Sequence, residues 1–313
     1  MKILFCFTYS KSFLSGFFFD VCKKLTAEGY TVSIYSLKST REYKIIESIP
    51  IYIEKKGGYL NDYYSTYKII NKVKPDIIIS NFNYVYPALL CGRLTRVSKN
   101  IAWFHTESSH TRPGPFNILI KKWFSKLADN IIVNSPRLRE DLIVTFSVTK
   151  EKINIVPFWT AISTVSHVPI ELENTGVFKI GCPGRIVKGK NHEVLLDALL
   201  TLKSKSQTCF KLYIAGTGDA AEDVKKHTLA RGLTKEVVFL GDLTIQEMPG
   251  FYKAMDLIVL PSLQEAFGMV FLEAMNLEVP VLVSDRFGAL EFLSSEVNLN
   301  AFQFNPLDEK ELA

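Results

Sequence analysis

Three observations predict two tandem doubly wound α/β domains. The chain has 313 residues, too long for one ordinary core and suited to two domains of roughly 150 residues. Short apolar, β-branched or aromatic runs alternate with helix-length amphipathic segments, the rhythm of βαβ units and parallel sheets. The rhythm lapses over 160–176 (TAISTVSHVPIELENTG) and then restarts, which predicts a linker and a division into 1–165 and 166–313.

In the first half the pattern predicts strands near 2–8, 31–36, 76–80, 100–105, 130–133 and 153–156, with helices over 16–28, 61–73, 116–128 and 136–145. The opening Met1-Lys2-Ile3-Leu4-Phe5-Cys6-Phe7 is read as a buried strand and not a signal peptide, because polar residues interrupt it and no small-residue cleavage site follows. In the second half strands are predicted near 178–182, 210–215, 237–240, 256–260, 280–284 and 301–304. Asp308 is a candidate N-cap for a helix that begins only a turn before residue 313, so the second domain is expected to be cut short.

Composition narrows the class. With 47% hydrophobic and 22% charged residues the chain is folded and not disordered. Five dispersed cysteines without ligand-like spacing read as buried free thiols in a reducing compartment. No apolar run reaches the ~18 residues of a membrane-spanning helix, so a cytoplasmic protein is expected. Residues 1–165 carry 23 Lys and Arg against 12 Asp and Glu, a net +11, while 166–313 carry 14 against 20, a net −6. Such a split suggests different partners for the two halves.

The most informative segment runs from Pro261 to Met275, PSLQEAFGMVFLEAM. It follows a strand and turns into a helix near Gly268, a junction that directs backbone N–H groups and a helix dipole at an anionic ligand. Glu265 lies in the loop, where it can accept bonds from sugar hydroxyls or simply favour a helix start; Glu273 can reach a ribose or be a solvated helix residue. After the strand at 178–182 comes Gly184-Arg185-Ile186-Val187-Lys188-Gly189-Lys190, a basic loop fit to neutralise a diphosphate or merely to cap a strand end. Its spacing is not that of a Walker P-loop. Ala215-Gly216-Thr217-Gly218 lacks the third glycine of a dinucleotide fingerprint and is weak alone.

Taken with Tyr213–Gly218, Phe239-Leu240-Gly241, Leu260-Pro261-Ser262 and Glu273-Ala274-Met275, the Glu265-x7-Glu273 pattern resembles the retaining glycosyltransferases of family 4. The likeness covers nearly all of 178–304, whereas the first half matches in topology and a few landmarks. It implies the two-domain GT-B fold, its domains facing a cleft, with the acceptor on the first domain and a UDP- or GDP-linked sugar on the second. By that resemblance Arg185 and Lys190 hold the phosphates, and Glu265 and His105 serve the reaction centre. Gly16, Gly184, Gly216, Gly241, Ala266, Phe267, Gly268, Met269, Val270 and Glu273 line the donor. Gly241-Asp242-Leu243 lies where the family places the base. His110 is a weaker candidate than His105.

Two segments depart from the family. Ser10–Phe17 keeps only Gly16 of the usual glycine pair, with Ser15 as expected N-cap, and Val156-Pro157-Phe158-Trp159-Thr160 replaces the usual Pro-Asn-Gly. The expected activity is a metal-independent, cofactor-free, retaining transfer onto a hydroxyl of a lipid-linked or cell-surface glycan precursor. A nucleotide-sugar epimerase or hydrolase of the same fold, and a catalytically silent nucleotide-binding subunit, are the alternatives. Over 116–128, Phe116, Leu119, Ile120, Trp123, Phe124 and Leu127 share one helical face, with Lys121, Lys122 and Lys126 elsewhere. That helix either faces a core or lies on an anionic membrane at its cytoplasmic side, through Lys121, Lys122, Trp123, Phe124 and Lys126.

Overall fold

The computed structural model describes residues 1–10, 12–108, 113–160, 162, 168–170, 172, 176–205, 209–294 and 296–313. The chain divides into two compact units, Met1–Phe158 and Trp159–Ala313.

The first unit begins with β1 (Lys2–Cys6), α1 (Phe13–Ala27), β2 (Thr31–Lys38), β3 (Glu42–Ile46), β4 (Ile49–Lys55) and α2 (Tyr59–Val73). It continues through β5 (Ile77–Asn81), α3 (Val85–Leu94), β6 (Lys99–Trp103), α4 (Pro115–Leu127), β7 (Asn130–Val133), α5 (Pro136–Phe146) and β8 (Ile153–Ile155). The sheet order is β3-β4-β2-β1-β5-β6-β7-β8, parallel except where β3 pairs antiparallel with β4. Alternation along β1 sends Leu4 and Cys6 into a core with Ile69, Ile70 and Ala88 of α2 and α3. Phe5 points the other way, onto Phe18 of α1 at a ring separation of 5.8 Å. With both faces covered, the strands read as continuous apolar runs.

Two elements lack a sequence signal. The β3–β4 hairpin turns at Glu47 and Ser48, both at positive φ (47° and 66°), where Asn-Gly is the usual chemistry. Helix α3, VYPALLCGRL, buries Val85, Pro87, Ala88, Leu89, Cys91 and Gly92, so it shows no polar periodicity.

The second unit comprises β9 (Phe178–Pro183), α6 (His192–Lys205), β10 (Phe210–Ala215), α7 (Ala221–Ala230), β11 (Val237–Gly241) and α8 (Met248–Lys253). Then follow β12 (Leu257–Leu260), α9 (Met269–Asn276), β13 (Val281–Ser284), β14 (Gln303–Phe304) and α10 (Glu309–Leu312). Its parallel sheet has the order β11-β10-β9-β12-β13-β14. In order of appearance that is 3-2-1-4-5-6, the doubly wound dinucleotide-binding arrangement, with its reversal between β9 and β12. Ile180, Leu212, Ile214 and Val259 from the strands pack with Leu195, Leu196 and Leu199 of α6. Asp308 caps α10 as expected, accepting from the Lys310 and Glu311 amides. Among the described residues no helix is long and apolar enough to cross a membrane.

Candidate functional site

Ligands of doubly wound sheets bind beyond the carboxyl ends of the strands, at the reversal point. In the second unit that point brings together the loop after β9 and the loop after β12. The two are tied directly: the Leu263 amide donates to the Gly189 carbonyl at 2.9 Å. Lys190 Nζ lies 2.5 Å from Glu265 Oε2, with the side chains only 25% and 22% exposed. Arg185 is exposed beside them. Lys190, Arg185 and Glu265, three of the four predicted chemical residues, therefore share one edge. Gly184, Arg185, Lys190, His192, Ser262 and Val270 line a small recess there.

The loop after β12 is held by main chain. The Gly288 amide donates to Glu265 O at 3.0 Å and the Ala289 amide to Phe267 O at 2.9 Å. Gly268 caps α9 at φ 100°, and a Cβ on it would stand 2.2 Å from a Phe287 ring carbon. Only glycine fits this position. The first amides of α9, at Met269 and Val270, begin a helix and have no intrahelical partner, so they suit an anion. The side chains of Ala266 and Phe267 are buried, so these two can offer a ligand only backbone.

Neighbouring loops extend this backbone floor. A Cβ at Gly216, φ 142°, would lie 2.1 Å from the Gly184 carbonyl oxygen. The Gly216 amide donates to Gly241 O at 2.7 Å, and the Ile186 amide to Thr217 O at 2.9 Å. Gly184, Gly216 and Gly241 thus join through main chain along one edge.

Glu273 is not the solvated helix residue of the alternative reading. It is buried, and Tyr252 donates its hydroxyl to Glu273 Oε2 at 2.5 Å. Burial pushes its carboxyl up to about 7, against the opposing pull of the Tyr252 hydrogen bond. His192, which the sequence reading passed over, is also buried, and neither ring nitrogen has a partner among the described residues. Burial first, and then the Lys190 charge, lower its pKa to about 4, so the ring is neutral. The signal available was a histidine at a helix start, two residues after Lys190.

In the first unit, His105 follows β6 and its Nε2 lies 2.7 Å from Asn81 Oδ1 at the end of β5. With an acceptor opposite, Nε2 is the protonated nitrogen. Nδ1 is buried without a partner among the described residues, and Phe82 and Phe158 flank the ring at 4.7 and 5.5 Å. Burial lowers its pKa to about 3, so it is a neutral imidazole. Gly16 lies within α1, exposed, with open space around it. The helix cap is Ser12 and not Ser15: Ser12 Oγ accepts from the Ser15 amide, while Ser15 Oγ accepts from the Ser10 amide. The helix starts earlier than expected because Ser12 satisfies its first amides. His110 lies outside the described residues.

Helix α4 divides its apolar residues between two sides. Phe116, Leu119 and Trp123 are 72%, 63% and 51% exposed, whereas Phe124 stacks on Tyr86 at 4.4 Å. Lys121, expected outside, instead lies over Phe146 and Phe104 at 3.9 and 4.6 Å from the ring centroids. Burial lowers its pKa to about 8 against the favourable charge of Asp141. Its aliphatic stem and ammonium cover aromatic core, which corrects its assignment as a surface contact. Among the described residues no group of three His, Cys, Asp or Glu could hold a metal ion.

Two family models match the chain: Glycosyltransferase Family 4 over residues 17–159 and Glycosyl transferases group 1 over 166–313. An uncharacterized glycosyltransferase of Methanocaldococcus jannaschii is 27% identical over 257 residues, 76% of this chain and 62% of that protein. The lipopolysaccharide core biosynthesis mannosyltransferase LpsB of Rhizobium meliloti is 27% identical over 64% of this chain and 56% of its own length. The chain thus spans less than two thirds of these relatives. Among solved structures, Anabaena HepE in complex with UDP and glucose superposes with a TM-score of 0.78 at 19% identity, covering 100% of this chain and 88% of that one. Sucrose-phosphate synthase from Thermosynechococcus elongatus gives 0.77 at 17% identity, covering 99% and 87%. At these identities the likeness is one of fold, and the fold is GT-B.

Proposed function

Since the chain belongs to the glycosyltransferases of group 1 and family 4, we propose that it transfers a sugar, with retention, from a nucleoside-diphosphate donor to an acceptor hydroxyl. The observation that carries this reading is the convergence of Arg185, the Lys190–Glu265 pair and the α9 start at the reversal point of the second sheet. Negative charge grows on the β-phosphate as the sugar becomes oxocarbenium-like, and cations and helix amides placed beforehand stabilise it. A diphosphate competes with Glu265 for Lys190 Nζ, and the carboxylate so released can accept bonds from sugar hydroxyls. The β-phosphate then takes the acceptor proton on the face it leaves. The chemistry needs no metal ion, because Arg185, Lys190 and the amides supply the positive charge.

The acceptor we favour is a lipid-linked or cell-surface glycan precursor, handled on the cytoplasmic side of a membrane. Support comes from the net +11 of residues 1–165 and from the exposed Phe116–Leu119–Trp123 stripe with Lys122 and Lys126. The likeness to a lipopolysaccharide mannosyltransferase points the same way. The test is donor consumption with and without membrane-derived acceptor. A transferase consumes donor only with acceptor. Turnover without acceptor identifies a hydrolase or epimerase, and nucleotide binding without turnover a silent subunit.

A further inference from the structure

One polar contact on the second unit's carboxyl edge has no part in the phosphate chemistry. Thr217, after β10, directs its hydroxyl to both carboxylate oxygens of Asp242, after β11, at 2.8 and 2.7 Å. Both residues are exposed. They stand on the backbone floor that begins at Arg185, through the Ile186–Thr217 and Gly216–Gly241 hydrogen bonds of 2.9 and 2.7 Å.

The topology says which part of a ligand reaches them. A ligand held by its phosphates at the reversal point of a 3-2-1-4-5-6 sheet can extend over strands 1, 2 and 3 or over 4, 5 and 6, and the backbone floor running from Gly184 through Gly216 to Gly241 leads along the first path. The strands of that path are β9, β10 and β11. Asp242 lies about two strand spacings of ~4.8 Å beyond the β9 loop, at the end of the path farthest from the phosphates.

Hydrogen-bond inventory then selects the base. The Thr217 proton is committed to Asp242, so the pair presents acceptors only, and an ionised carboxylate retains free lone pairs after one such bond. Guanine has two adjacent donors, N1–H and N2–H, spaced for both oxygens of a carboxylate. Uracil has one N–H between two carbonyls, which a carboxylate repels. Adenine and cytosine set one amino group beside an acceptor nitrogen. The geometry points to Asp242, oriented by Thr217, as the residue that selects a guanine nucleotide as donor carrier.

This inference rests on the transferase reading, and a titration separates the two. GDP, IDP and UDP are titrated calorimetrically into the full chain and into the Asp242→Asn variant. A bidentate base contact discriminates by roughly 10- to 100-fold, so GDP should bind at least tenfold more tightly than UDP. IDP, which lacks the 2-amino donor, should fall between them. Asp242→Asn should erase the GDP preference and leave UDP affinity within about threefold, since the phosphate contacts are untouched. Equal affinity for UDP and GDP, or a tenfold GDP preference surviving in the variant, would overturn the base assignment while sparing the transferase. Failure of all three nucleotides to bind would overturn both.

Discussion

Replacing Lys190 by Ala separates structural from catalytic work at the donor edge. Opposite charges 2.5 Å apart attract by about 7 kcal/mol at an effective dielectric near 20. Desolvation and screening of side chains that are 25% and 22% exposed leave about 1 kcal/mol net. Lys190→Ala should therefore lower the melting temperature by only about 2–4 °C. On the proposed reaction coordinate the same ammonium would oppose charge that forms on the leaving phosphate. Deleting one such donor costs roughly 10²–10³ in turnover, about 2.7–4 kcal/mol of barrier. Arg185→Ala should match it, and Glu265→Gln should abolish transfer while the circular dichroism spectrum stays native. The assay is initial-rate donor consumption with acceptor, beside thermal melts of the same preparations. A loss below threefold for both Arg185→Ala and Lys190→Ala, or wild-type rates for Glu265→Gln, would refute the placement of the diphosphate.

Three further outcomes are expected. Glu273 is raised in the folded state to about 7, above its unfolded value near 4.3, so its contribution to stability is complete below about pH 4.3 and is lost as pH rises through 7. Glu273→Gln keeps an acceptor for Tyr252, and its melting temperature relative to wild type should climb across that window; a pH-independent difference would exclude a buried neutral carboxyl. Excess EDTA should leave turnover unchanged, whereas complete loss restored by manganese would defeat the metal-independent mechanism. Vesicles rich in anionic lipid should co-sediment the chain at low salt and release it at high salt, since screening sets in beyond ~8 Å at physiological ionic strength. There Leu119→Ser with Trp123→Ser should abolish binding, while Lys121→Ala should lower thermal stability and leave vesicle binding intact.

How legible this was depended on where each signal resides. The strand carrying Phe210–Ala215 shows its type in composition, and the predicted boundaries are the observed ones. The Arg185–Lys190 loop and Glu265 stood out because charge and glycine gather at two strand ends, and the structure brings those two ends together. What escaped was decided by tertiary contact. Glu47 and Ser48 adopt positive φ without turn-forming composition because antiparallel pairing of Glu42–Ile46 with Ile49–Ile53 imposes it. Helical periodicity could place Glu273 and Lys121 on a face, but the partners that turn them inward, Tyr252 and Phe146, are 21 and 25 residues away in the chain. His192 carries no motif beyond its place at a helix start two residues after Lys190; its buried ring, without a partner among the described residues, is what singles it out.

The floor of the donor edge is main chain meeting main chain at Gly184, Gly216 and Gly241. Side chains along that edge hang from it without supporting it. Substitutions at Thr217 or Asp242 can therefore accumulate without distorting the proposed phosphate site, whereas a methyl group at Gly216 strikes backbone that has nowhere to move. Tolerance of the fold should be divided sharply along this edge, permissive at 217 and 242 and forbidding at 216. An edge built this way lets an enzyme exchange one nucleotide carrier for another in a single step. In a saturation library selected for transfer, new donor preferences should arise at Asp242, and the glycines should stay silent.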